Sequence, residues 1–359
     1  MKTYLMMAGG TGGHVFPALA TARKLQEQGA NVAWLGSNGG FEQSVIEKQG
    51  IPFYGISVSG LRGKGKLALL KAPFNLVHAL IQAFGVLNKV KPHLVVGMGG
   101  FASGPGGLAA RLSGRPLVVH EQNAVAGMTN RILAKIAKAV YEAFPNSFGS
   151  AVRATLIGNP IREEIVALNQ SSNDKKWDAS RQPRILVVGG SLGAQKLNEV
   201  VPAAMALLDQ NTRPEIIHQS GKGKLKATQS LYEQLDVQAK TTEFIDDMAD
   251  AYSWADLVIC RAGALTVSEL AAAGLGAVFV PFPHAVDDHQ TLNAKSSVDA
   301  GAAHMIAQSE LTAERLNKVL VPLFEDQNSM RNMAAAALSI AKPNAARDLA
   351  EECGRLARV

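Results

Sequence analysis

The stretch at 257–274 constrains this chain most. A short apolar run, Leu-Val-Ile-Cys, is followed by Arg261-Ala262-Gly263 and then by Ala264-Leu265-Thr266-Val267-Ser268-Glu269-Leu270-Ala271-Ala272-Ala273-Gly274. An apolar run of strand length, a turn of small residues, a helical composition and a stopping glycine read as strand, tight turn and helix. The first turn of such a helix has N–H groups without partners, and small residues let an anion such as phosphate approach them. Thr266 and Ser268 add hydroxyls near that helix start. Glu269 is a carboxylate on an otherwise apolar helix. It is either a solvated surface charge or a group in reach of sugar hydroxyls.

Similar units recur along the chain. Apolar runs at 4–8, 32–35, 94–96, 117–120, 185–188, 216–218, 257–260 and 277–280 alternate with helical patterns. Alternation of this kind predicts an α/β protein with parallel sheets covered by helices on both faces. Two of these runs, each near the start of a half, end in glycine-rich turns: Gly9-Gly10-Thr11-Gly12-Gly13-His14 and Gly189-Gly190-Ser191-Leu192-Gly193. At 359 residues there is length for two such domains. The join is expected after Gly158-Asn159-Pro160-Ile161-Arg162, followed by a polar surface loop over 169–184. Two Rossmann-like domains facing a central cleft are therefore expected, with the cleft as the ligand site.

Composition narrows the partners. Residues 1–150 hold 15 Lys and Arg against 5 Asp and Glu, leaving 21 against 25 in the remainder. A basic first half predicts an anionic partner there. With no nucleic-acid motif and only 6% aromatic residues, a lipid or a diphosphate is favoured over nucleic acid. No apolar run reaches the roughly 18 residues of a membrane span. Residues 1–8 imitate a signal peptide but run at once into Gly9-Gly10, and read better as a first strand. Cys260 and Cys353 supply no disulfide framework and suit a reducing compartment.

The glycine turns discriminate further. A dinucleotide fingerprint wants an acidic residue at the end of the next strand. Here those strands end Trp34-Leu35-Gly36-Ser37 and His218-Gln219-Ser220, which argues against a nicotinamide enzyme. The Lys-Ser/Thr that closes a P-loop is missing as well. Such turns still suit a diphosphate held by backbone N–H groups. The first helix is expected to open near Phe16-Pro17, and His14 at its start is a candidate general base.

Residues 62–91 combine flanking Arg62, Lys64, Lys66, Lys71, Lys89 and Lys91 with two apolar stripes. One stripe is Leu70, Phe74, Val77, Ile81 and Phe84, the other Leu69, Leu76, Leu80 and Leu87. One stripe must pack on the sheet; a spare one, flanked by cations, suits a membrane surface. Pro73 is expected to kink the segment or begin a new helix. Six glycines between 97 and 107 predict a long flexible turn, and His120-Glu121-Gln122-Asn123 puts a polar cluster at a strand's C-terminal end. In the second half Asp247 is expected as a helix cap. The stretch 281–293 reads as a loop entering a helix, rich in sugar-binding side chains. Neither Asp-X-Asp nor a zinc-spaced His/Cys cluster occurs, so no catalytic metal is expected.

In number and order the motifs at 8–17, 59–66, 97–109, 120–127, 158–162, 189–194, 218–223, 243–248, 260–274 and 290–294 resemble the bacterial peptidoglycan glycosyltransferases that make lipid II. The resemblance covers nearly the whole chain. It implies a glycosyltransferase fold of the B type, with an acceptor- and membrane-binding domain over 1–162. A UDP-GlcNAc-binding domain over 163–341 and a helix over 342–359 that returns to the first domain complete it. It implies an inverting transfer of GlcNAc from UDP-GlcNAc to the undecaprenyl-linked muramyl-pentapeptide, lipid I, at the cytoplasmic face of the cell membrane. No cofactor is implied. Carried over, Glu269 would hold the ribose, Ile245 would meet the uracil, and Gln290 would meet the GlcNAc hydroxyls. Ser191, Ala264, Leu265, Thr266, Val267 and Ser268 would surround the diphosphate. Thr11, Gly12, Gly13, Asn123 and Arg162 match further donor-contacting positions, and 62–91 looks like a membrane-docking patch. Relatives often carry Gln before the residue matching Gln290; here His289 stands there. His14 is the first candidate for the base and Glu121 the second. Competing readings are a UDP-sugar transferase acting on diacylglycerol, a UDP-GlcNAc epimerase, and a non-catalytic UDP-sugar-binding protein.

Overall fold

A computed structural model of the chain describes residues 1–58, 66–172, 181–283 and 288–357, with the backbone alone at 66–72, 169–172 and 327. The chain divides into two compact units, Met1–Arg162 with Pro343–Val359, and Glu163–Lys342. The first unit runs β1 (Thr3–Met7), α1 (Gly12–Glu27), β2 (Asn31–Ser37), α2 (Phe41–Glu47), β3 (Phe53–Ile56), α3 (Lys66–Val90), β4 (Leu94–Gly97), α4 (Ser103–Leu112), β5 (Leu117–Glu121), α5 (Met128–Ala134), β6 (Ala139–Glu142) and β7 (Thr155–Leu156). The second runs α6 (Glu163–Ser172), β8 (Arg184–Val188), α7 (Gln195–Ala206), β9 (Glu215–Gln219), α8 (Leu225–Gln234), β10 (Lys240–Thr242), α9 (Met248–Trp254), β11 (Leu257–Cys260), α10 (Ala264–Ala273), β12 (Gly276–Phe279), α11 (His289–Asp299), β13 (Ala303–Met305), α12 (Ala313–Glu325) and α13 (Gln327–Ile340). The final helix, α14 (Ala345–Leu356), belongs to the first unit.

Both sheets are parallel, with orders β3-β2-β1-β4-β5-β6-β7 and β10-β9-β8-β11-β12-β13. The order reverses between β1 and β4, and again between β8 and β11. At such a point successive crossovers leave to opposite sides, and a crevice opens beyond the strand ends. The glycine-rich turns after β1 and β8 lie at these two places.

The core follows from strand alternation. Tyr4, Met6 and Ala8 enter one apolar layer with Val15, Leu25 and Leu349, while Leu5 and Met7 enter the opposite layer with Ala79, Ala83 and Leu117. Helix α14 completes the first layer. It buries Ala345, Ala346, Leu349, Ala350, Cys353 and Leu356 at helical spacing, and Glu352 on it accepts from the Tyr141 hydroxyl at 2.8 Å.

Four expectations change. Helix α1 opens at Gly12, before Phe16-Pro17, and Pro17 stands inside it. Thr11 caps it from an extended conformation, its carbonyl accepting from His14 N–H at 3.1 Å. His14 is thereby a first-turn residue. Helix α3 is one helix running through Pro73. Its buried face is Ala79, Ala83 and Leu87, while Phe74, Leu76, Val77 and Ile81 are exposed. Alanine at 79 and 83 lets the helix approach the sheet closely, with Leu87 buried and Leu80 and Phe84 packed against the same layer. The turn after β4 is short: α4 starts at Ser103 and absorbs Gly104, Gly106 and Gly107. A Cβ on Gly106 would meet the Met7 sulfur and the Leu35 side chain, so glycine there serves close helix–sheet packing. The polar stretch 169–184 begins as the end of α6, and its residues 173–180 lie outside the described residues.

Candidate active site

In the first unit the turn after β1 is built against the turn after β4. Gly100 has φ +88°, and a Cβ on it would stand 2.5 Å from the Gly9 carbonyl oxygen. Ser103 Oγ ties the two together, within hydrogen-bond distance of Met7 O at 3.0 Å and Gly99 O at 2.7 Å. On the other side lies Glu42, fully buried at the start of α2. Its carboxylate accepts from Gly10 N–H at 3.1 Å and from Ser37 N–H at 2.8 Å. The loop is thus held by charge-assisted hydrogen bonds to its own backbone.

His14 extends from the first turn of α1 over Gly99, close enough that a Cβ on that glycine would lie 2.8 Å from the ring. Its Nδ1 is 2.8 Å from Gln122 Oε1. Gln122 Nε2 is 3.1 Å from His120 Nδ1, and His120 Nε2 is 2.9 Å from the Gly158 carbonyl. Burial pushes His120 down to about 4, against the opposing pull of Gly158 and Glu121. Glu121 itself is buried, and its oxygens accept from Asn123 N–H, the Asn123 side chain, Gly127 N–H and the Asn130 side chain at 2.9–3.1 Å. That pattern shapes the turn from β5 to α5. Arg162 lies with its guanidinium 5.9 Å from the Phe16 ring centroid, on the α1 side of the same unit.

In the second unit the helix that follows β11 behaves as its sequence suggests. Helix α10 spans ten residues, starts at Ala264 after an extended Gly263, and stops at Gly274 with φ +64°. Gly263 has no side chain to cap the helix. The N–H groups of Ala264, Leu265 and Thr266 therefore point out of the first turn toward any bound anion. Leu265, Thr266 and Ser268 are half-buried, and Ala264 and Val267 are buried. Glu269 is 3% exposed, which removes the reading of a solvated surface charge. The Tyr252 hydroxyl donates to its Oε2 at 3.4 Å. Asn293 of α11 donates to the Ala262 carbonyl at 3.2 Å and holds the turn. Gln290 on α11 accepts from Phe282 N–H at 2.9 Å through its oxygen, which directs the NH2 group away as a donor. Ser191 is exposed in the turn after β8, Ile245 is half-buried before α9, and Asp247 caps α9 by accepting from Asp250 N–H at 2.9 Å. His284 and Asp287 lie outside the described residues. Among the described residues no group of three or more His, Cys, Asp or Glu is placed to hold a metal.

Comparison with known proteins places the whole chain. The model of the glycosyltransferase family 28 N-terminal domain matches residues 4–142, and that of the C-terminal domain matches 184–353. A UDP-N-acetylglucosamine–N-acetylmuramyl-(pentapeptide) pyrophosphoryl-undecaprenol N-acetylglucosamine transferase of Hahella chejuensis is 53% identical, over 98% of this chain and 97% of its own. The transferase of that name from Marinobacter nauticus is 54% identical over the same shares. The crystal structure of Acinetobacter baumannii MurG is 44% identical, with a TM-score of 0.85 over 99% of this chain and all of that one. The chain belongs to the MurG family.

Membership in the MurG family fits the fold, two parallel α/β units of the glycosyltransferase B type. Within each unit most of the expected residues lie near the switch point, but Ile245 follows the edge strand β10 and Gln290 lies on α11, after β12. Thr11, Gly12, Gly13, His14, Glu121 and Asn123 line the turns beyond β1 and β5. Residues 264–269 open α10 beyond β11, and Ser191 follows β8. Three residues escaped the sequence reading. Glu42 carries no signal beyond following Gly39-Gly40, and Tyr252 none at all. Gln122 stood within a noted polar cluster, but its partner lies 108 positions away.

Proposed function

We propose that this chain is an inverting hexosyltransferase that moves GlcNAc from UDP-GlcNAc to the 4-hydroxyl of the muramyl sugar of lipid I, giving lipid II. The observation that carries this is the identity above 50% to transferases of that name over 98% of the chain, spanning both units. The second unit holds the donor. First-turn N–H groups of α10, with Thr266, Ser268 and Ser191, take the diphosphate, and Glu269 takes the ribose hydroxyls. Ile245 covers the uracil, and Gln290 meets GlcNAc through its NH2 group. Thr11, Gly12, Gly13, Asn123 and Arg162 supply further contacts. A backbone site of this kind stabilises the charge that develops on the leaving UDP without needing reorganisation.

In the transfer the acceptor oxygen bonds to the anomeric carbon while the bond from that carbon to the diphosphate breaks, and UDP leaves with the electron pair. The hydroxyl proton passes to a base, which we assign to His14. Glu121 is the weaker candidate because four N–H groups already occupy its oxygens. Among the described residues no helix is long and apolar enough to cross a membrane. Phe74, Leu76, Val77 and Ile81 on α3 are more than half exposed, and with the cations of 62–91 they dock the enzyme peripherally on the anionic cytoplasmic face. Arg62 and Lys64 of that segment lie outside the described residues.

The test is transfer of radiolabelled GlcNAc from UDP-GlcNAc to a lipid I analogue in the presence of chelator. Labelled extractable lipid supports both the reaction and the backbone diphosphate site. Product only after magnesium is restored would overturn the diphosphate assignment. Binding of UDP-GlcNAc without product under either condition would overturn the transferase reading in favour of another acceptor or a binding protein.

A further inference from the structure

The hydrogen bonds behind His14 run in one direction only. Gly158's carbonyl can only accept, so the proton of His120 sits on Nε2, 2.9 Å away. His120 is fully buried and held well below its ordinary value, so its Nδ1 is a bare acceptor at neutral pH. Gln122 Nε2 faces two acceptors, that Nδ1 at 3.1 Å and the His120 carbonyl at 3.2 Å. The carbonyl fixes which end of the amide is the NH2 group, because the flipped amide would set oxygen against oxygen. The amide oxygen is then the atom 2.8 Å from His14 Nδ1 and must receive a hydrogen bond from it. Asn130 Nδ2 grips the His120 carbonyl at 3.2 Å, and Gln122 is 1% exposed, so the chain of bonds is shielded from water.

We propose that Gln122 and His120 are positioning residues that hold His14 in the tautomer with its proton on Nδ1, leaving Nε2 to accept the proton of the acceptor hydroxyl. This rests on the reading of His14 as the base. A solvated neutral imidazole exchanges between both tautomers, and the one protonated at Nε2 has no lone pair to offer there. The relay removes that form before substrate arrives. Gly99 contributes by packing against the ring face, where a side chain would displace it. Gln122 touches no reacting atom in this scheme; it acts through His14 alone.

The experiment has a readout that needs no substrate. Two-bond proton–nitrogen correlation on protein labelled with 15N-histidine, in mildly alkaline buffer, reports which ring nitrogen carries the proton. His14→Gln identifies the His14 signals. The wild-type His14 is expected to show a protonated Nδ1 and a bare Nε2. In Gln122→Leu the proton should appear on Nε2 in part of the molecules. Turnover should fall on the order of 10²-fold, the lower end of what a general base contributes, with KM for UDP-GlcNAc little changed. Gln122→Glu keeps an acceptor toward His14 and should retain the Nδ1–H tautomer, but its second oxygen replaces the NH2 group opposite the His120 carbonyl and Nδ1, so a loss of stability and no full recovery of turnover are expected. A protonated Nε2 in the wild type, or wild-type turnover in Gln122→Leu, would overturn the proposal. The expected tautomer in a protein that transfers no GlcNAc would overturn the functional reading and leave the relay standing.

Discussion

Lowering the pH should destabilise both units by way of one buried histidine each. Burial pushes His120 down from 6.5 to about 4 in the first unit, and His218 down from 6.5 to about 3 in the second. His218 is buried between Tyr232 Oη at 2.9 Å and Asn198 Oδ1 at 3.1 Å, neither of which offers a charge to an imidazolium. Both values lie below that of the unfolded chain, so the unfolded chain binds the proton first. The stability is fully present above pH 6.5 and is lost as the pH falls through that value toward the folded ones. Integrating the proton uptake from about pH 7.5 to about pH 5 gives roughly 2 kcal/mol for each histidine. At about pH 5 ordinary carboxylates are still largely ionised in both states, so they contribute little over this window. Hydrogen exchange followed by mass spectrometry, with urea as the variable, gives the opening free energy of each unit from its central strand peptides. The unit carrying β5 should lose about 2 kcal/mol over this window, and the loss should vanish in His120→Gln while the unit carrying β9 is unaffected. A pH-independent first unit in the wild type, or the same loss in His120→Gln, would refute the argument.

Other consequences are equally direct. Glu42→Gln removes the charge and leaves one acceptor for two part-buried N–H donors, so unfolding in urea should show a loss of about 1–3 kcal/mol, and an unchanged midpoint would count against this holding of the loop. Gly100→Ala meets the Gly9 backbone at a φ of +88°; a lower melting temperature together with reduced GlcNAc transfer is expected, and a variant equal to wild type would show the two turns to be loosely packed. Cys260 and Cys353 are fully buried, and burial, then Glu352, pushes the Cys353 thiol up to about 12. Titration with a chromogenic disulfide should find both thiols silent in the native protein and reactive in denaturant; prompt reaction of the folded chain would contradict their burial.

What the sequence alone determined was local. Eight strands were legible because a parallel, doubly covered strand is a short continuous apolar run. The turns after β1, β8 and β11 were legible because glycine and small residues mark sites where backbone must turn or be approached. The helix from Ala264 to Gly274 followed from composition and a stopping glycine. Short strands such as β7, β10 and β13 carry little apolar signal, and pairing with a neighbour defines them as strands. The start of α1 at Gly12 was masked by Pro17, which reads as a first-turn residue but stands inside the helix. The place of Ala79 and Ala83 in the packed face of α3 was decided by how closely the helix meets the sheet. The carboxylates show the same division. Glu269 was singled out by its neighbours, but whether it faced water or the interior was settled by packing, and Glu42 became visible only when Gly10 and Ser37 were brought to it. The relay from Gly158 through His120 and Gln122 to His14 joins three strand-end turns, and its bonds exist only once the sheet order has assembled them. Periodicity and turn chemistry act over a few residues, so sequence displays them. The direction of a hydrogen bond and the burial of a charge depend on groups a hundred positions away, and only the folded chain sets them.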